Sequence, residues 1–317
     1  MINPNLISKY PNMSATARRW ISNISECTWI KDYFSFLNKQ LAYLKGKQRK
    51  DIITRIGSPD DKQYYEAIAE LVYIAFWKYM KWSFEKDPNI NEKKPDFKVT
   101  FGREGQDTFL CEVAVVRHNH PRYDVVMDGK TGAMTMKGKP INKLPVVPVP
   151  LEQAHRFLMK LEEKLDNYRQ ILTTQQMPFV VCFFRYGENI LYLDDHQIRN
   201  ALFGDPIFNF STGELWHQPN IQSTRYGQKV HRGIFGFEEY KHLTAVIDCA
   251  QECYQTTNIM LKEPKPHYPQ KAKFRFAIYV NPLGRWSHRD NNPFSLAGIP
   301  VNGLRGADSG FKEIEFY

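Results

Sequence analysis

Phe109-Leu110-Cys111-Glu112-Val113-Ala114-Val115-Val116 is the stretch whose reading decides the fold. Every position except Glu112 is apolar or small, on both alternating faces. Such a run reads as a central strand covered on both sides. A carboxylate inside it is costly unless something pairs with it or binds it. A second carboxylate opens the strand-like run before it, Pro95-Asp96-Phe97-Lys98-Val99. Two acids carried into one sheet point to a site for a hard metal ion.

Gly102-Arg103-Glu104-Gly105 reads as the hairpin turn between these two runs. Upstream, Gly57-Ser58-Pro59-Asp60-Asp61 is a loop ending in an N-cap, and residues 61–81 form a long helix. Its second half is apolar nearly all round, which predicts burial. Glu66 and Glu70 interrupt it, one turn apart on one face. Residues 82–86 read as a short strand and Asp87-Pro88-Asn89 as a turn. Downstream, residues 122–140 suggest a protruding hairpin around Asp128-Gly129, and the prolines of 145–150 a stiff connector. Leu151, Ala154, Leu158, Leu161, Leu165 and Leu172 form the stripe of a helix over 151–172. Residues 178–185 are a second doubly apolar strand, and Asp194 caps a short helix to Phe203. Residues 204–240 are aromatic and turn-rich, while 243–247 and 274–280 read as strands and the tail from Leu304 as an edge strand at most. Residues 1–56 read as helical, with a start at Ser14 and a stripe from Ile30 to Leu44.

The length of 317 residues suffices for a substantial core, and 42% apolar with 14% aromatic residues excludes a disordered chain. No apolar run reaches the roughly eighteen residues of a membrane helix. Met1-Ile2-Asn3-Pro4-Asn5 lacks a signal-peptide pattern, so a cytoplasmic protein is expected, with no membrane partner. Cys27, Cys111, Cys182, Cys249 and Cys253 are odd in number and scattered, which argues against a disulfide framework. Cys249 and Cys253 have no matching second pair for zinc. The net charge is +9, part of it in Lys45-Gly46-Lys47-Gln48-Arg49-Lys50 and Arg55. Such a patch attracts phosphate backbones or is simply a solvated helix face.

A glutamate on a buried helix, Pro-Asp opening one strand and a glutamate within the next now stand in order. This resembles the PD-(D/E)xK nuclease-like superfamily, the restriction-endonuclease-like fold. The likeness spans about Asp61 to Phe203. It looks closest to a branch whose third motif is Glu-x-Ala/Thr, here Glu112-Val113-Ala114. That branch continues with a helix lysine and a tyrosine four residues on, then Pro-Phe-Val and Ala-Leu-Phe-Gly. The counterparts are Lys164 with Tyr168, Pro178-Phe179-Val180 and Ala201-Leu202-Phe203-Gly204. The resemblance implies an α/β core of helix, three strands, helix and strand, a mixed sheet flanked by helices. It divides the chain into an N-terminal helical extension (1–56), the core (57–204) and an aromatic-rich β region packed on it (205–317).

It also implies a metal-dependent endonuclease acting on nucleic acid, DNA being the expected partner, with Mg²⁺ or Mn²⁺ as cofactor and a homodimer to cut both strands. The carboxylates suit that ion, since Mg²⁺ takes one or two carboxylates plus water and substrate phosphate. Asp96 and Glu112 would hold the metal, and Glu70, or Glu66 in another register, would join them or orient water and ligands. The family places its lysine two residues after the strand glutamate, where Ala114 stands. Either the lysine has moved to Lys164, whose flexible stem could reach past the small Ala114, or the site has lapsed and the protein only binds nucleic acid or a protein partner. Each residue has a plainer reading. Asp96 could be a turn residue after proline, Glu112 a buried ion pair with Arg117 or Lys98, and Lys164 a snorkelling side chain with its amine in solvent.

Other strings carry less. Pro59-Asp60-Asp61-Lys62 is a helix cap, and His118-Asn119-His120 spells HNH without that motif's hairpin and helix. Gly129-Lys130-Thr131 lacks the earlier glycine of a phosphate loop, and His155 reads as a helix-edge residue. Trp216, His217, Tyr226, His231 and Arg232 could line a base-stacking surface or an ordinary aromatic core.

Overall fold

The computed structural model describes residues 1–102, 107–117, 125–127, 134–136, 139–141, 149–175, 177–186, 195–212, 214–223, 229–251, 273–286, 292–297, 299–302 and 312–315. Helices come first: α1 (Asn5–Lys9), α2 (Ala15–Ser22), α3 (Thr28–Tyr43), α4 (Gly46–Ile56) and α5 (Asp61–Tyr79). The Ser14 side chain caps α2 by accepting the Ala17 N–H at 3.1 Å, and Asp60 caps α5 by accepting that of Lys62 at 2.8 Å. Three strands follow, β1 (Ser83–Lys86), β2 (Phe97–Phe101) and β3 (Asp107–Arg117). A small antiparallel meander comes next, β4 (Val125–Met127), β5 (Met134–Met136) and β6 (Lys139–Ile141). Then come α6 (Val149–Gln175), β7 (Phe179–Tyr186) and α7 (Asp195–Phe203). The ladders β8 (Asp205–Asn209) with β9 (Glu214–Gln218) and β10 (Asn220–Ser223) with β11 (Lys229–Arg232) precede β12 (Leu243–Gln251) and β13 (Lys273–Val280). The chain closes with α8 (Pro293–Leu296), β14 (Val301–Asn302) and β15 (Lys312–Glu315).

The main sheet runs β1-β2-β3-β7-β12-β13-β14, with β15 also paired to β13. It is mixed: β1, β2 and β3 are antiparallel, β3-β7 and β7-β12 parallel, and β12-β13 antiparallel. Helices cover both faces. Cys111, Val113, Val115, Phe97 and Val99 pack with the N-terminal helices and α5, which is buried over most of its length. Leu110, Ala114, Val116, Val181 and Phe183 face Phe157, Leu158 and Leu161 of α6 and Ile198 and Leu202 of α7. Sandwiching is why β3 and β7 read as continuous apolar runs. The Tyr73 hydroxyl of α5 lies 2.6 Å from the Phe183 carbonyl and 3.0 Å from that of Ile247, tying the helix to β7 and β12.

The order of α5, three strands, α6 and β7 agrees with the sequence expectation. Several boundaries differ by a few residues, two of them informatively. α6 begins at Val149, inside the stretch expected to be a proline connector. Pro150 falls in the first turn, where its missing N–H has no helical partner to lose. β12 runs on to Gln251, past the expected end at residue 247 and through the polar Asp248. Arg185 on β7 explains this: its Nε lies 2.9 Å and its Nη2 2.6 Å from the two Asp248 carboxylate oxygens, so the acid stays within the sheet. β12 and β13 join the same sheet as β3 and β7, so strands from beyond residue 204 complete the central layer. The N-terminal helices likewise share one apolar cluster with α5 and the sheet. The turn expected at 103–105, Asp128-Gly129, His118-Asn119-His120, Gly129-Lys130-Thr131, the Asp194 cap and Cys253 lie outside the described residues. Among the described residues, no helix is long and apolar enough to cross a membrane.

Candidate functional site

The register of β2 on β3 sets the centre. Phe97 faces Cys111 across this antiparallel pair, so Asp96, one residue earlier, falls opposite Glu112. Side chains alternate along each strand. Phe97 and Val99 point to the α5 layer, which sends Asp96 to the α6 side, and Glu112 shares that side with Leu110 and Ala114. One oxygen of Asp96, Oδ2, accepts the backbone N–H of Val113 at 2.8 Å. The two carboxylates are thus fixed across one rung of the ladder.

Helix α6 supplies the partners of Glu112. Lys164 and Tyr168 stand one turn apart on its inner edge. Lys164 Nζ donates to Glu112 Oε2 at 2.5 Å, and the Tyr168 hydroxyl donates to Oε1 at 2.6 Å. Both carboxylate oxygens of a side chain only 5% exposed are therefore hydrogen-bonded, which meets the requirement for burying a charge. The lysine does not snorkel: its side chain is 19% exposed and its amine turns inward. Neither Arg117 nor Lys98 is needed as the partner of Glu112.

A second string of charges reaches Asp96 from the other layer. Arg55 of α4 grips Glu70 of α5 with both terminal nitrogens, at 2.7 and 2.8 Å. The other face of Glu70 takes Lys86 of β1 at 2.9 Å. Lys86 also contacts Asp87 at 2.5 Å and lies 3.7 Å from Asp96 Oδ1. Glu70 thus acts on Asp96 through Lys86, its own oxygens being engaged by cations. Glu66, one turn earlier, is partly exposed and 3.8 Å from Lys62.

These placements set the protonation states. Burial raises the pKa of Asp96 well above the ordinary carboxylate range, and the charges of Glu112 and Glu70 add to this, against the pull of Lys86 and Lys164. Burial alone would lower the pKa of Lys164, but Glu112 and Asp96 outweigh it and the net shift is upward. Lys86 behaves likewise: Glu70 and Asp96 overcome burial and keep it charged. Burial and the Glu112 charge both raise the Tyr168 hydroxyl, which stays a neutral donor. Burial works against ionised Glu70, yet Lys86 and Arg55 more than compensate and hold its pKa below the usual value.

A pH effect follows for the metal-free protein. The folded-state pKa of Asp96 exceeds the unfolded value of about 3.9. The folded state therefore binds the extra proton between those two values. Its contribution to stability is complete below the unfolded pKa and is lost as pH rises through the folded one. Urea midpoints of wild type and Asp96→Asn, measured across pH 4–8, should diverge, with wild type losing ground as pH rises. Parallel curves would contradict the assigned shift.

The donor chemistry suits a hard divalent cation: two carboxylates face each other, and among the described residues Asp96 Oδ1 meets Lys86 at the long distance of 3.7 Å. Among the described residues, no three His, Cys, Asp or Glu side chains gather as a metal-binding group, so the fit rests on Asp96 and Glu112 alone. Comparison with protein-family models, curated proteins and solved structures finds no match.

Lys86 was not singled out in the sequence, and Arg55 was named only as part of the basic patch. Lys86 had a legible signal, because period-two alternation from the inward Phe84 places residue 86 inward as well. The C-terminal candidates are engaged internally. His231 Nδ1 lies 3.1 Å from Glu162 and 2.7 Å from the Tyr240 hydroxyl, and Arg232 pairs with Asp205 at 2.7 Å. His217 is partly buried beside Phe203. Tyr226 and the side chain of Trp216 lie outside the described residues.

Proposed function

We propose that this chain is a metal-dependent nuclease with a restriction-endonuclease-like core, hydrolysing phosphodiester bonds of nucleic acid, DNA foremost. One observation carries the reading: Asp96 stands opposite Glu112 across adjacent strands, with the Lys164 amine 2.5 Å from Glu112. Asp96 and Glu112 are the residues that would hold Mg²⁺ or Mn²⁺. When bound, that ion supplies charge neutralisation at the phosphate and a more acidic water. Glu70 contributes through Lys86, which it fixes beside Asp96. Lys164 stays protonated, so it can donate a hydrogen bond to a phosphate oxygen or a water but cannot take a proton from that water. Exposed Lys93 and Lys94 in the turn before Asp96 and the net charge of +9 favour an anionic polymer as partner. A homodimer would let one assembly cut both strands of a duplex.

Incubation of purified protein with plasmid and Mg²⁺ or Mn²⁺ tests this. Wild type should nick or cut, chelator should stop it, and Asp96→Ala with Glu112→Ala should fall to background. Equal activity of wild type and the double variant removes the proposal.

A second reading is supported by Ala114, standing where the family has its lysine, and by the engagement of both Glu112 oxygens by donors. It is a lapsed nuclease fold that binds nucleic acid or a protein partner. Carboxylate-dependent Mn²⁺ binding in titration calorimetry separates the two, since a lapsed site shows none.

A further inference from the structure

We infer that the Lys164 ammonium is the resting counter-ion of Glu112, occupying the oxygen through which that carboxylate would meet a divalent cation, so that metal binding and release of this lysine are a single event. The inference rests on Asp96 and Glu112 being the metal-holding pair. Glu112 has two oxygens, and each already carries a donor: Tyr168 on Oε1 at 2.6 Å and Lys164 on Oε2 at 2.5 Å. Asp96 turns Oδ2 to the Val113 amide at 2.8 Å, which leaves Oδ1 for other partners. An ammonium and a divalent cation on the same carboxylate oxygen repel strongly in so buried a place.

The two donors on Glu112 are not equally easy to remove. The Tyr168 ring is 8% exposed and tilted against Phe179 with ring centres 5.5 Å apart, so its hydroxyl cannot withdraw without unpacking the core. Lys164 is a four-carbon stem with a fifth of its side chain still open to solvent. It also has somewhere to go: the charges of Glu66 on α5, partly exposed, and of Glu163 on α6, exposed and shared with Lys160, both act on it. Tyr168 is the fixed donor and Lys164 the exchangeable one. A freed amine swings toward solvent, where phosphate would arrive. The arrangement also guards the empty site, because without metal the buried carboxylate keeps a compensating charge.

Mn²⁺ affinity measured by titration calorimetry, with no nucleic acid present, tests this on wild type, Lys164→Met, Lys164→Arg and Asp96→Asn. Circular dichroism and thermal melting establish that each variant is folded. Lys164→Gln, also neutral and hydrogen-bonding, replaces the methionine variant if that one does not fold. Removing the competing charge should tighten Mn²⁺ binding at least tenfold, whereas Lys164→Arg, which keeps it, should give no gain. Equal or weaker binding by the folded neutral variant, with wild-type binding abolished by Asp96→Asn, overturns the inference and leaves the metal-holding pair standing. Absence of Asp96-dependent binding in both wild type and the neutral variant removes both.

Discussion

Glu70→Ala lowers the unfolding free energy by about 3–5 kcal/mol, the range for breaking one partner out of a buried ion pair. The effect falls unequally on the two cations that Glu70 serves. Arg55 retains Asp51, 2.9 Å from its Nε and well exposed, and can turn toward water. Lys86 cannot, because its side chain is only 3% exposed. Asp87 at 2.5 Å and Asp96 at 3.7 Å remain to it, but neither replaces the 2.9 Å contact from the buried side. The stranded ammonium should therefore dominate the loss. Urea unfolding of Glu70→Ala, Lys86→Met and the double variant separates the terms. The double variant should lose clearly less than the sum, since removing Lys86 removes the uncompensated charge. A loss under about 1 kcal/mol for Glu70→Ala would make this a surface-grade pair. The same pairing gives an acid limb. Glu70 titrates below its unfolded value, so its contribution is present above that value and is lost as pH falls through the folded pKa.

Much of this arrangement was legible because two different periodicities carried it. A strand buried on both faces leaves one polar residue conspicuous, and Glu112 stood out on that basis alone. Asp96 followed from the preceding apolar run, and the α5 and α6 helices from their spacing. The connections between these elements were not legible. Whether Asp96 faces Glu112 depends on a register fixed by the β2–β3 ladder, and no single strand records its partner's numbering. The partner of Glu112 lay fifty-two positions away, on a helix, so local reading offered Arg117 and Lys98 instead. The basic stretch 45–55 read as one surface feature. In the fold it splits: Lys45, Lys47 and Lys50 are exposed, while Arg55 turns inward to Glu70. Composition records how many charges a segment has, and packing decides which of them are solvated. Of the strands beyond residue 204, β12 and β13 were recognised individually and β8 to β11 were not; the place of β12 beside β7 required a parallel pairing between segments more than sixty residues apart.

Lys164→Met should slow metal-dependent cleavage by about 10²–10³-fold, the loss expected when one donor aimed at developing charge is removed. Protonation decides what the amine can do. Glu112 and Asp96 raise the pKa of the amine against the effect of burial, so it is an ammonium at neutral pH. An ammonium has no lone pair with which to accept a proton, so the residue acts by charge and hydrogen bonding, not as a base. Two consequences distinguish this role from simple support of the fold. The pH profile of kcat should keep its shape in the variant, because no limb of it belongs to the lysine. The loss should fall on kcat more than on KM, because the charge that the amine meets develops as the water oxygen bonds to phosphorus and the leaving oxygen departs. Lys164→Arg should recover part of the rate through its charge, limited by the broader guanidinium beside Tyr168 on the same carboxylate. A variant that binds Mn²⁺ more tightly yet cuts more slowly would place one amine on the carboxylate before metal binds and on the phosphate afterwards. A folded Lys164→Met that cuts as fast as wild type would make the lysine a counter-ion only, and the attacking water would then need another residue to hold it.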